Sequence, residues 1–217
     1  MSDKVDSFGT SYSFKKVNKK NPIVFIHGVG LSKEIWNPQV NFFKDYNTVT
    51  YDLLGHGKTP LKKTAVSFKD FTEQLFKLIN ELDFKKFHLI GFSLGALIAR
   101  NFAAEHGNRL NSLIMHGSIY KRTEEQKRVV KNRFEVAKMG KLASKQNTLR
   151  RWLSEDFLKK NPEIYKKIYS ILDENNLSDF LKSYDIFVNY VDDDSVIKKI
   201  DVNTLITTGE NDVGSTP

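Results

Sequence analysis

Two hydrophobic patterns alternate along the first half of the chain. Short, continuous runs of apolar or β-branched residues are typical of strands buried on both faces of a parallel sheet. The segments between the runs carry apolar side chains near a 3.6-residue period, which indicates helices. Looser alternation over residues 8–17 predicts an edge strand. The predicted strands lie at residues 23–26, 48–51, 87–90, 110–115 and 203–208, and the predicted helices at 32–44 and 68–82.

The pattern changes between residues 118 and 199, where strand signals vanish and the density of charge rises. Eighty residues of helix are too many for one connection between strands. We therefore expect an α/β protein with a mostly parallel sheet flanked by helices and an inserted helical cap. Residues 1–117 and 200–217 would form the core, and residues 118–199 the cap. The predicted cap helices lie at 122–139, 147–159, 162–173 and 177–190.

Residues 86–107, KFHLIGFSLGALIARNFAAEHG, combine a strand, a sharp turn and a helix. The turn is GFSLG, and its serine, Ser93, would occupy a strained backbone conformation at the tip. Gly91 and Gly95 would let the strand and the helix pass close together. A serine presented in this way is typical of a catalytic nucleophile. A glycine-flanked turn, or an ordinary serine N-cap, is the alternative interpretation.

Glycine-rich loops follow other predicted strands. After residues 23–26 comes HGVG (residues 27–30), whose backbone N–H groups would be exposed at the carboxyl edge of the sheet, where an oxyanion could bind. We interpret His27 as a structural side chain that bonds the neighbouring loop. DLLGHG (residues 52–57) follows the next strand, and GEND (residues 209–212) follows the last one.

Composition excludes several kinds of site and partner. The 217 residues contain no cysteine, so disulfides and thiolate chemistry are excluded. No apolar run has the length of a signal peptide or a membrane span, so we expect a cytoplasmic protein without a membrane partner. The net charge is +8, but lysines are scattered among acids. We interpret them as a solvated surface and expect no nucleic-acid partner.

The order of the four motifs HGVG, DLLGHG, GFSLG and GEND resembles the α/β-hydrolase fold over nearly the whole chain. Within that superfamily, four longer segments are most similar to the 3-oxoadipate enol-lactonase group. They are HGVGLSKEIW, YDLLGHGKT, FHLIGFSLGALIARNFA and LRRWLSEDFLKKNPE.

The resemblance implies a serine hydrolase that acts on small carboxylic esters or lactones by acyl transfer, without a cofactor or a metal ion. Ser93 would be the nucleophile, and Asp212 the acid that orients a histidine. The backbone N–H groups of Val29 and Leu94 would form the oxyanion hole. The resemblance does not predict the oligomeric state.

The chain departs from the family pattern after Asp212, where the fold places its catalytic histidine. The last five residues, VGSTP, contain none. His116, at the end of a predicted strand, is the one substitute worth considering, and a weak one. We therefore expect a C-terminally truncated sequence whose 217 residues are nearly inert as an enzyme. A non-catalytic binding protein on a hydrolase scaffold is the alternative.

The predicted cap suggests a class of substrate. Arg150 and Arg151 stand beside Trp152, and an arginine near the pocket could hold a substrate carboxylate. We therefore predict an acidic ester or lactone. Aromatic residues of the cap would line the pocket, although most of them are expected to pack the cap on the sheet. They are Trp152, Phe157, Tyr165, Tyr169, Phe180, Tyr184, Phe187 and Tyr190.

Overall fold

A computed structural model of the chain describes residues 3–140, 142–212 and 214–216. In this part of the chain, seven strands form one sheet in the order β1-β2-β4-β3-β5-β6-β7. The pairs β1–β2 and β2–β4 are antiparallel, and all the others are parallel. This confirms the predicted α/β class with a mostly parallel sheet. The strands are β1 Lys4–Val5, β2 Ser11–Lys15, β3 Ile23–Ile26, β4 Thr48–Tyr51, β5 Phe87–Phe92, β6 Leu110–His116 and β7 Thr204–Thr207.

Helices cover both faces of the sheet and fill the long segment between β6 and β7. The third helix packs against β5 and β6 and against the second helix. Short 3₁₀ turns at Lys33–Trp36 and Gly107–Arg109 add to them. The helices are α1 Asn37–Phe42, α2 Phe68–Glu81, α3 Leu94–His106, α4 Glu124–Lys138, α5 Leu142–Trp152, α6 Glu155–Lys160, α7 Pro162–Asp173, α8 Leu177–Val188 and α9 Asp194–Lys198.

The central strand β3 is buried along its whole length. Alternate side chains go to opposite faces, as the pleat of a strand requires. Val24 and Ile26 join the main core with residues of α2 and α3, whereas Phe25 packs against Trp36 on the other face, with ring centroids 5.0 Å apart. Each such side chain contributes roughly 1.5–3 kcal/mol on burial. A continuous apolar run is therefore the sequence signature of this strand.

Residues 118–199, which we call the helical insertion, contain α4 to α9 and no strand among their described residues. The insertion has a small core of its own, in which Leu149, Ile168 and Ile171 pack with Leu31 from the loop after β3. The described residues of the insertion are helical and lack strands, as predicted for the cap. Whether the insertion folds as a separate unit stays a prediction.

Hydrogen bonds join the helical insertion to the loops at the carboxyl ends of β3 and β4. The Asn175 side chain donates to the Gly30 carbonyl over 2.8 Å and accepts from the Gly57 N–H over 3.1 Å. The Ser183 hydroxyl donates to the Leu54 carbonyl over 2.7 Å. The insertion therefore lies over the edge of the sheet at which the glycine-rich motifs end.

Some details differ from the sequence-based expectations. The strand expected at an edge within residues 8–17 is β2, and that position was wrong because β1, only two residues long, pairs outside it. The single helix expected at 147–159 is two helices, α5 and α6, because Ser154 caps α6 by accepting the Phe157 N–H. Helix α9 has five residues and no periodic signal of useful length.

A buried ion pair fixes the loop after β4. The Asp52 carboxylate accepts hydrogen bonds from the Lys33 ammonium over 2.9 Å, the Lys33 N–H over 2.7 Å and the Lys58 N–H over 3.0 Å. Lys33 and Asp52 side chains are only 3% and 1% exposed. A buried carboxylate with several donors is well compensated, so this pair holds residues 52–58 against the 3₁₀ turn at Lys33–Trp36.

Two buried histidines lie beside this pair. The His27 ring accepts the Leu53 N–H at Nε2 over 3.0 Å, which confirms its expected structural role. The His56 ring lies 5.3 Å from that of His27. Burial lowers the pKa of His27, and burial together with the His27 charge lowers the pKa of His56 to about 3. Both rings therefore stay neutral in the folded protein near neutral pH.

The strand β5 and the helix α3 cross at very short range. A Cβ atom on Gly91 would overlap the Gly95 carbonyl and lie 2.7 Å from the Ala96 Cα. A Cβ atom on Gly95 would lie 2.6 Å from the His27 carbonyl oxygen, beside β3. The obstacles are backbone atoms, so they cannot move without displacing a strand or the helix.

We predict that Gly91→Ala destabilises the protein by more than about 3 kcal/mol or prevents folding, because the added methyl group meets fixed backbone. Gly107→Ala is the matched control: a Cβ there has open space within 4 Å, and the backbone φ is −55°. Its effect should stay within about 1 kcal/mol. Urea unfolding of both variants measures the difference. Equal stabilities would contradict the close crossing.

The neutral histidines also predict a loss of stability in acid. Below pH 6.5 the unfolded state binds protons that folded His56 does not bind until pH falls to about 3. The free energy of unfolding should therefore decrease by about 1.4 kcal/mol per pH unit for each such histidine as pH falls below 6.5. Urea unfolding at pH 7.5 and pH 5.0 measures this slope. His56→Gln should reduce it, whereas His116→Gln, at an exposed position, should not. An unchanged slope in His56→Gln would refute the assignment.

Candidate active site

Ser93 is the single residue between the end of β5 and the start of α3. Its φ of 53° and ψ of −114° lie in a region that a residue with a side chain rarely adopts. Its N–H donates to the His116 carbonyl over 2.9 Å, which fixes the turn against β6. The side chain makes no capping hydrogen bond to α3, so the interpretation as an ordinary N-cap finds no support.

The loop at residues 27–30 passes directly beside this serine. A Cβ atom on Gly28 would lie 3.2 Å from the Cβ of Ser93 and 3.0 Å from the Cδ1 of Phe92. Within the described residues, the N–H groups of Val29 and Leu94 donate no hydrogen bond. Leu94 opens α3, where the first N–H groups have no acceptor inside the helix. Two free donors therefore flank the serine.

Asp212 stands at the same edge of the sheet, after β7. Its Oδ1 accepts the N–H of Gly214 over 2.7 Å and that of Ser215 over 3.0 Å. Its Oδ2 lies 3.8 Å from the position that a Cβ on Gly117 would take, at the end of β6. One carboxylate oxygen is thus held by the backbone, and the other has no hydrogen-bond partner in the described part of the chain.

All five histidines are described, and none of their rings is hydrogen-bonded to Ser93 or Asp212. The His116 ring stacks on Phe92 at 5.5 Å, and its Nδ1 is paired with the Thr207 hydroxyl at 2.9 Å. The remaining histidines are His27, His56, His88 and His106.

The described residues hold no group of three or more histidines and acids suited to a metal ion. No described helix is long and apolar enough to span a bilayer.

A cavity of about 590 Å³ lies between the helical insertion and the backbone of Val29 and Gly30. Its volume is in the range of small-molecule sites. Most of its apolar lining comes from helices of the insertion. Ser93 is not among the lining residues, but Val29 and Gly30 belong to the loop whose Gly28 lies beside Ser93. The apolar lining includes Val129, Val136, Trp152, Leu172, Leu177 and Phe180.

The predicted substrate-binding residues fall on different sides of α5. Arg151 and Trp152 line the cavity, whereas Arg150 is exposed and does not. Arg133, on α4, also lines it and was not singled out from the sequence. The sequence did contain a signal for Arg133. Val129, Arg133 and Val136 are spaced as on one face of a helix, so Arg133 places a charge on an otherwise apolar face.

The model of a protein family described as alpha/beta hydrolase fold matches residues 21–213. The (E)-2-((N-methylformamido)methylene)succinate hydrolase of Acinetobacter baylyi is 28% identical over 212 residues, which are 95% of this chain and 78% of that protein. The 3-oxoadipate enol-lactonase 1 of the same organism is 29% identical over 154 residues, 70% of this chain and 57% of that protein. The solved enol-lactonase of Burkholderia xenovorans LB400 has a TM-score of 0.86 at 21% identity, with 96% of this chain and 81% of that chain covered.

These similarities agree with the fold and with the order of the glycine-rich motifs. The similarity to enol-lactonases that the motifs suggested is confirmed by a curated relative and by a solved structure. The matched segment runs from the start of β3 past Asp212, and so contains the loop at residues 27–30 and Ser93. The chain therefore belongs to the α/β hydrolase fold family.

Proposed function

We propose that this protein is a serine hydrolase of small carboxylic esters or lactones, with Ser93 as its nucleophile. The observation that carries the proposal is the strained, non-capping backbone position of Ser93, beside two free N–H groups. A strained serine with no role in helix capping is expected where its hydroxyl must be presented to a substrate. The Ser93 oxygen would attack the acyl carbon and form an acyl-enzyme, which water would then hydrolyse.

The N–H groups of Val29 and Leu94 would form the oxyanion hole. Negative charge develops on the carbonyl oxygen during the attack, and fixed donors stabilise it without reorganising. The geometry supports this role, because the loop of Val29 passes beside Ser93 and the Leu94 N–H begins a helix whose dipole favours an anion. Each such donor contributes on the order of 3 kcal/mol to the transition state in comparable enzymes.

Asp212 would hold an imidazole next to Ser93. The backbone donors of Gly214 and Ser215 fix one of its oxygens and leave the other for a ring N–H. None of the five histidines in residues 1–217 occupies that place. We therefore propose that these residues alone have low activity, and that an imidazole base restores it.

The helical insertion would be the cap of the active site, with residues 118–199 as its limits. Asn175, in the turn between α7 and α8, and Ser183, on α8, bond to the loops after β3 and β4, and Val29 and Gly30 line the cavity of the insertion. The relatives named as an enol-lactonase and as a hydrolase of a succinate derivative favour ester, lactone or similar acyl bonds in small molecules. The proposal includes no cofactor.

A binding protein on the same scaffold remains a second proposal, because no described histidine is paired with Ser93. The two proposals differ in one measurable respect. A hydrolase that lacks its general base recovers turnover when a base is supplied, whereas the serine of a binding protein stays unreactive.

We predict that free imidazole raises the rate of p-nitrophenyl acetate hydrolysis by the 217-residue chain, and that Ser93→Ala removes this increase. A positioned base contributes roughly 10²–10⁴-fold, of which free imidazole should recover about tenfold or more. A fluorophosphonate probe should label Ser93 under the same conditions. Mass spectrometry locates the label.

Ser178→Ala is the control for this experiment, because Ser178 is exposed and its side chain makes no hydrogen bond to a described residue. It should retain both the labelling and the rescued rate. Rescue that persists in Ser93→Ala would reflect imidazole acting alone or another nucleophile, and would contradict the proposal. Labelling at no residue would favour the binding protein.

We further predict that Asp212→Asn loses most of the rescued rate. The amide oxygen can still accept the Gly214 and Ser215 N–H groups, so the loop should be kept while the charge that stabilises an imidazolium is lost. Asp201→Asn, at an exposed position, controls for the change of net charge. Imidazole titrations of both variants give the comparison. Equal rescue would show that Asp212 does not act on the base.

A further inference from the structure

Two arginines from different helices line the same cavity without an acidic partner. Arg133 lies on α4 and Arg151 on α5, and both side chains are half-buried. Neither makes a hydrogen bond or an ion pair with another described residue. The Arg151 guanidinium lies over the Trp152 ring, 5.9 Å from its centroid.

The electrostatic situation of Arg151 is unfavourable in the empty cavity. Burial lowers its pKa most, and the positive charge of Arg133 lowers the pKa further. No carboxylate opposes these two effects; the phenol of Tyr184 does so only weakly because it is neutral near pH 7. A desolvated cation next to a second cation destabilises a fold unless an anion compensates both.

Two other buried cations of this protein are paired with carboxylates, whereas a third, Arg122, donates to the Phe187 carbonyl and is opposed only at longer range by the charge of Asp192. Lys33 is paired with Asp52 at 2.9 Å, and Arg100 with Asp192 at 2.5 Å. Within the cavity itself, Lys145 is paired with Asp173. Arg133 and Arg151 have no such carboxylate partner among the described residues, and they lie where the protein encloses space for a ligand.

The Tyr184 hydroxyl belongs to the same group. Tyr184 lines the cavity from α8, and its hydroxyl has no hydrogen-bond partner among the described residues. Burial raises the pKa of the Tyr184 phenol, and the charges of Arg151, Arg133 and Arg122 oppose this effect. Two guanidinium groups and one hydroxyl therefore converge from three helices, and all three are donors with no described acceptor.

We propose that Arg151, Arg133 and the Tyr184 hydroxyl form a subsite for a carboxylate that the acyl substrate carries at the end remote from its scissile bond. The inference rests on the proposed acyl-transfer function for the placement of the scissile bond at Ser93, at the opposite end of the substrate from the carboxylate. The cavity that these groups line is also lined by Val29 and Gly30, from the loop whose Gly28 lies beside Ser93. A substrate anchored by its carboxylate would thus present its carbonyl to the proposed oxyanion hole.

The chemistry favours a carboxylate over a larger anion. A guanidinium pairs with a carboxylate through two parallel hydrogen bonds in one plane, and a hydroxyl can complete the coordination of an oxygen. The remainder of the lining is mainly apolar, which suits a carbon chain between the anion and the reacting carbonyl. Inorganic phosphate shares the negative charge and is therefore the competitor to test.

The test measures binding without turnover, in the Ser93→Ala background. The probe is monomethyl glutarate, compared with the neutral analogue in which a carboxamide replaces the carboxylate. Quenching of Trp152 fluorescence reports binding, since this ring lines the cavity. We expect the acid to bind at least about tenfold more tightly than the amide, and Arg151→Met or Arg133→Met to abolish most of that preference.

Arg128→Met is the matched control on α4, because Arg128 is exposed and paired with Glu125. It should leave the preference for the acid intact. Equal binding of acid and amide, or an equal loss in Arg128→Met, would overturn the proposal. Phosphate binding as tight as that of the acid would overturn the assignment to a carboxylate in favour of a general anion site.

Thermal unfolding separates this role from a structural one. If Arg151 serves the ligand, Arg151→Met should keep or raise the melting temperature without ligand while it weakens binding, because an uncompensated charge is removed. A lower melting temperature together with lost binding would show a structural side chain and overturn the proposal. No step needs turnover, so failure of the Ser93 experiments leaves this test valid, and the reverse also holds.

Discussion

The rest of the structure depends on how closely β3, β5 and α3 approach one another. Gly91 and Gly95 have no side chains, so the helix can begin directly against two strands. This crossing forces Ser93 into its strained backbone conformation and brings the loop of Val29 beside it. The packing of the core therefore determines the geometry of the site, and the strain at one residue is maintained by apolar contacts along three elements.

Buried polar groups, rather than apolar contacts, hold the loops that follow β3 and β4 at the carboxyl edge of the sheet. Asp52 accepts three hydrogen bonds, two of them from Lys33, and His27 bonds the loop after β4. Such an arrangement contributes little net stability compared with an apolar core, but each group would be left unsatisfied if a loop moved. These polar contacts therefore fix the positions of the loops while adding little to the free energy of folding. A site whose groups must be held in a defined geometry requires such positioning.

The sequence predicted the parts of the fold that local patterns encode. The apolar runs of β3 to β7 and the GFSLG turn depend on neighbouring residues, and all were found. The two-residue β1 and the five-residue α9 are too short to carry a period, so tertiary pairing alone determines them. The arginines show the same limit. Arg150 and Arg151 are equivalent in sequence, and only the packing of α5 decides which of them lines the cavity.

The convergence of Arg133, Arg151 and Tyr184 could not be predicted, because it joins three helices with no fixed mutual geometry in the sequence. Nor does the net charge of +8 explain it. Most of the excess positive charge lies on lysines at the solvated surface, where the absence of a partner costs little folding free energy. Lys33 and Arg100, which are buried, are matched by Asp52 and Asp192. Among the described residues, Arg122 is buried without an ion pair and relies on backbone carbonyls. Arg133 and Arg151 differ from all three because they line a cavity, so the proposed carboxylate would supply the missing partner.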